Sequence, residues 1–225
     1  MSKIEKVGIV VTFNLSAGGG GPHVVIDLIN ALHDLGKKVY LMTPFQINYK
    51  KIEELYGRFK IKKTYYPGKI KKYFCRESTT SRLLMIKEFQ EMANEVDLII
   101  DMDGGVLHNY LPDNKKYIIW RISGIDRELE KTDFTYKSWK IKVKRFIKKT
   151  ITHDENTLSK IHKIYAVDDW TRKLLINLWD LSPEILCLYP EIKTSNFSYI
   201  KNKKDQVIIL GRISPNKRID ESIKV

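Results

Sequence analysis

"IEKVGIVVTFNLSAGGGGPHVVIDLINALHDLGKKVYLMTP" runs from Ile4 to Pro44, and its order of residue types decides the fold class. The first ten residues are apolar and β-branched, the composition of a buried strand. Four glycines follow, Gly18 to Gly21. Then Val24, Val25, Leu28, Ile29, Leu32 and Leu35 recur at helical spacing, which predicts a helix over 23–36 with Gly36 as its stop. A second apolar run, 37–44, reads as another strand. Strand, glycine loop, helix and strand together open a parallel α/β sheet.

The alternation continues outward. Strands are predicted over 58–66, 96–105, 115–122, 161–167 and 183–190, and helices over 80–94, 136–151 and 168–179. The reading is an α/β fold, a Rossmann-like doubly wound parallel sheet over 1–190. A polar linker spans 191–206. A new strand at 207–213, followed by a helix start, opens a second Rossmann domain over 207–225 that the sequence does not complete.

The chain has 225 residues, of which 43% are hydrophobic, enough for a substantial core. No apolar run approaches the roughly 18 residues of a membrane span, and the N-terminus carries no signal-peptide cleavage pattern. Cys75 and Cys187 are too far apart in sequence to suggest a disulfide framework or zinc site. The expected location is the cytoplasm. A net charge of +13 favours an anionic partner.

A glycine-rich turn between strand and helix lets backbone N–H groups approach an anion, and the helix start adds partial positive charge. Gly18, Gly19, Gly20 and Gly21 are therefore a candidate phosphate site. The G-x-G-x-x-G fingerprint is not clean, because His23 stands near its third glycine, and no Walker A lysine is present. Near the other end, "LGRISPNKRID" (210–220) sets Arg212 after a strand and Lys217 near a helix start, two cations suited to a diphosphate.

"AGGGGPHVVIDLINALHDLGKKVYLMTP", "IYAVDDWTRKLLINLWDLSPEILCLYPEI" and "ILGRISPNKRID" together resemble the retaining GT-B glycosyltransferases of family 4. The similarity runs closest to the lipid-linked-oligosaccharide mannosyltransferases of the asparagine-glycosylation pathway. The resemblance implies transfer of a sugar from a nucleotide-sugar donor such as GDP-mannose to a glycan or lipid-linked acceptor, with retention and without a metal cofactor. It implies that Gly18–Gly21 meet the donor diphosphate and that Arg212 and Lys217 neutralise it as it leaves. The family's Glu-x7-Glu element would fall beyond the last residue given. The chain as given is therefore expected to hold part of the donor pocket, to bind donor weakly and to be inactive alone; its catalytic residues stay unassigned. Where many relatives carry a histidine at a strand end, this sequence has Trp120 and Arg121.

Other residues are weighed beside these. His23, Arg121 and Asp103 are acceptor-side candidates; His23 also suits a helix cap or rim packing, and Arg121 a rim pair with Asp126 or Glu128. Asp101-Met102-Asp103 spells the D-x-D of metal-dependent GT-A transferases, the rival enzyme reading, with Mg²⁺ or Mn²⁺ on its carboxylates. Seven Lys/Arg and no acid lie between 137 and 149. Among them Lys140, Lys144, Arg145 and Lys148 form a candidate patch for an anionic membrane surface, or merely the solvated face of a core helix. That patch carries the non-catalytic alternative, a module holding a polyanion or membrane and attached to the cytoplasmic membrane face. No nucleic-acid motif accompanies it.

Overall fold

The computed structural model describes residues 4–68, 84–102, 106–112, 114–121, 160–179, 185–190 and 198. The chain divides into two units, Met1–Glu191 and Ile192–Val225. Only Ser198 of the second is among the described residues, so the linker, the second-domain strand, Arg212 and Lys217 lie outside them.

Seven strands form one sheet: β1 (Lys6–Val10), β2 (Lys38–Met42), β3 (Lys63–Tyr65), β4 (Leu98–Asp101), β5 (Lys116–Arg121), β6 (Lys163–Ala166) and β7 (Leu186–Cys187). Every neighbouring pair is parallel, in the order β3-β2-β1-β4-β5-β6-β7. Each strand predicted over 4–190 is present, shorter than its apolar run. Four helices are described: α1 (Gly20–Asp34), α2 (Tyr49–Tyr56), α3 (Ile86–Glu95) and α4 (Asp169–Trp179). The predicted helix over 136–151 lies outside the described residues. An α/β Rossmann-like fold is what this sheet and its helices make.

An all-parallel sheet must be covered on both faces, and alternation along the strands achieves it. Val7, Ile9 and Val11 of the β1 segment face Val25, Ile26 and Ile29 of α1 and Ile52 of α2. Val10, Met42, Ile99 and Ile119 face Phe89, Met92 and Ala93 of α3. Gly8 sits where α3 comes closest. A Cβ there would lie 3.1 Å from both Cε and Sδ of Met92 and 3.3 Å from Val96. Phe89, fully buried, meets the Tyr117 ring edge-on at 6.3 Å; removing such a ring costs about 3–5 kcal/mol.

The chain steps from β1 to β2 and β3 on one side, then returns to lay β4 on the other side of β1. That reversal makes a switch point between β1 and β4, and α/β sheets place ligands outside the carboxyl ends of the strands there. The segment following β1 at that point is the glycine run.

Candidate functional site

After β1, Asn14 turns the chain. Its Oδ1 accepts from the Ser16 N–H at 2.9 Å and its carbonyl accepts from Ala17 at 3.1 Å, closing a short 3₁₀ turn over Leu15–Ala17. Gly18 (φ 82°) and Gly19 (φ 108°) then take backbone conformations that L side chains rarely adopt. Gly19 is the residue before α1, and its carbonyl accepts the first helical bond, from His23 N–H at 3.2 Å. This revises the sequence reading, in which all four glycines formed one turn and the helix began at 23. Two glycines make the turn; Gly20 and Gly21 are the first two helical residues. The first turn of a helix has N–H groups without intrahelical partners, so glycine's poor helix propensity matters less there.

This helix start is bare. No side chain caps Gly19, and the first turn holds no acidic residue. A Cβ built on Gly19 or Gly20 would meet nothing within 4 Å. The N–H groups of Gly20 and Gly21 thus stand at the positive end of a 15-residue helix, with no described side chain capping it, an arrangement suited to an anion.

The turn is held by α2, which the sequence reading did not foresee. Tyr56 Oη donates to the Gly19 carbonyl at 3.1 Å, and burial pushes the Tyr56 hydroxyl above its ordinary pKa, keeping it a donor. The Asn48 N–H donates to Ser16 Oγ at 3.0 Å. Asn48 in turn caps α2, its Oδ1 accepting from Lys51 N–H. His23 stacks on Tyr56, ring centres 5.3 Å apart, and its Nε2 lies 3.3 Å from Asp27 Oδ2. His23 therefore belongs to the structure that carries the glycines, one turn into α1.

The D-x-D reading fares differently. Asp101 ends β4 fully buried, and its carboxylate accepts a hydrogen bond from Tyr117 Oη on β5. The buried His108 ring lies 6.2 Å from the Tyr117 ring. A carboxylate buried and engaged in this way is not presented to a nucleotide-bound metal. Asp103 lies outside the described residues, and among the described residues no group of three His, Cys, Asp or Glu could hold a metal ion.

Arg121 closes β5 at the carboxyl edge of the sheet, its backbone paired with Ala166. Trp120 is buried, and its Nε1 donates to the Leu188 carbonyl at 3.2 Å, tying β5 to the segment after β7. Lys140, Lys144, Arg145 and Lys148 lie outside the described residues. Among the described residues no helix is long and apolar enough to cross a membrane.

Tyr56 and Asp27 were missed from sequence. Asp27 stands four residues after His23, a pair legible on any helix. Asn48 before and Gly57 after "YKKIEELY" are the start and stop signals of α2, but the tyrosine's reach to Gly19 is a tertiary fact. No family model matches the chain, and no curated protein is significantly similar to it.

Proposed function

We propose that the chain is the acceptor-side domain of a retaining, metal-independent glycosyltransferase, with the glycine start of α1 meeting the diphosphate of a nucleotide-sugar. The observation that carries the reading is the bare, open start of α1 at the sheet's switch point. Two positive-φ glycines let the backbone turn there without side chains in the way. A leaving diphosphate needs positive charge as the glycosidic bond breaks. The α1 start offers some, and the resemblance assigns the rest to Arg212 and Lys217. The donor sugar, mannose from GDP-mannose, and a glycan or lipid-linked acceptor come from the resemblance alone.

The test is a ³¹P NMR titration of the chain with GDP and with UDP, run with Mg²⁺ and with EDTA. A saturable shift of the β-phosphate with a Kd on the order of millimolar, unchanged by EDTA and absent in Gly19→Val, supports the reading. A protein-dependent shift that requires Mg²⁺ transfers support to the D-x-D mechanism. No shift with either nucleotide sinks the diphosphate role of the glycines and leaves the basic surface as the feature to pursue.

A further inference from the structure

A concavity opens at the same edge of the sheet, beyond the carboxyl ends of β2 and β3. It has a volume of about 450 Å³ and is lined by Pro44, Gln46, Ile47, Tyr49, Tyr66 and Pro67. That size falls within the range of small-molecule sites, roughly 300–1,000 Å³. The chain carries 40 Lys and Arg, yet these six lining residues include no charged side chain. Among the described lining residues an anion finds no cationic side chain to pair with.

The lining is stiff and flat where a ligand would touch it. Pro44 and Pro67 are buried and hold φ fixed. Tyr49 and Tyr66 are 46% and 38% exposed. The Tyr49 ring is backed by Phe59 in a near-parallel stack, centroids 5.5 Å apart at 8°. Tyr66 Oη accepts from the Ile47 N–H at 3.4 Å, and burial holds its hydroxyl above the ordinary pKa. Ring planes are thus supplied by tyrosines whose positions are set by neighbours, and an exposed amide, Gln46, stands beside them.

We propose that this cleft binds a neutral pyranose ring. A pyranose has an apolar face of axial C–H groups and a rim of hydroxyls. Aromatic planes match the face; the Gln46 amide and tyrosine hydroxyls match the rim. The cleft is also mechanically joined to the glycine turn, because Asn48, between Ile47 and Tyr49, donates to Ser16 Oγ. The role of an acceptor subsite rests on the transferase reading above; the binding itself does not.

The experiment is ¹⁵N–¹H and aromatic ¹³C NMR titration of the full chain with a panel of neutral methyl hexopyranosides. GDP and a decaproline peptide are run beside them. At least one glycoside is expected to shift the Tyr49, Ile47 and Tyr66 signals saturably. Tyr49→Ala is expected to weaken that binding about tenfold; Tyr49→Phe, which keeps the ring, holds it within about threefold. Gln46→Ala weakens it severalfold. The proposal is overturned if no glycoside in the panel gives saturable shifts, or if Tyr49→Ala binds as well as the parent. It is equally overturned if GDP or decaproline moves these signals and the glycosides do not. GDP shifts confined to Gly18–Gly21 bear on the transferase reading alone, so the two can fail separately.

Discussion

Two helices of this sheet begin at its carboxyl edge and are built in opposite ways. α4 supplies its own anions. Asp168 Oδ1 accepts from Thr171 N–H at 2.6 Å, and Asp169 in the first turn pairs with Arg172 at 2.7 Å and Lys173 at 3.2 Å. α1 has no side-chain cap, no acid in its first turn and glycine at its first two positions. A carboxylate cap is worth about 1 kcal/mol over alanine but only a few tenths over glycine, so with Gly19 as its cap α1 goes without a small stabilisation that α4 takes. The difference teaches where to look for ligand: a helix start that satisfies itself has no need of one, and a bare start beside open space can accept one.

The comparison breaks most sharply at Gly19. Gly19→Val forces a side chain into a left-handed conformation, and thermal unfolding should show a loss of about 1–2 kcal/mol together with loss of the GDP response. At α4, Asp168→Ala should cost about 1 kcal/mol in denaturant titration and leave GDP binding unchanged; a change in binding would mean the two starts are not independent. Gly20→Ala sharpens the contrast. It should stabilise by about 0.5–1 kcal/mol, since a Cβ there meets nothing, while weakening GDP binding. If stability and affinity instead rise together, the space beside α1 is not a ligand's.

Smaller effects follow at the supports. Tyr56→Phe removes the donor to the Gly19 carbonyl and should cost about 0.5–1 kcal/mol. Because burial raises the Tyr56 pKa, its contribution is fully present below about pH 10 and fades as pH rises through the higher folded value; the Phe variant should lack that alkaline loss. The least effect is expected at Asp169, whose carboxyl is held below its ordinary range by Arg172 first and Lys173 second. Its contribution is present above about pH 3.9 and is lost as pH falls through the folded value. An Asp169→Asn variant should show slightly less acid sensitivity, and salt should erase the difference.

Much of this architecture could be read from residues alone, because β-branched runs such as "VGIVV" and "LII" mark strands buried on both faces. The start of α1 could not: four glycines spell a turn by propensity, and only the positive φ at Gly18 and Gly19 separates turn from helix. α2 escaped because it buries just Ile52, too little apolar content to show a period. Asp101 looked like a metal ligand because sequence does not reveal that Tyr117, sixteen residues on, takes its carboxylate. Side-chain partners across strands are set by sheet order, which spacing along the chain does not encode.

The contact between Gly8 and Met92 carries a chemical consequence. The Met92 sulfur lies 3.1 Å from where even a single Cβ on Gly8 would stand, and the side chain is fully buried. A sulfoxide oxygen on the sheet side of that sulfur has nowhere to go. Oxidation of Met92 by peroxide should therefore be slow in the folded chain and should loosen the packing of α3 on the strands, which peptide mass spectrometry beside thermal unfolding would read.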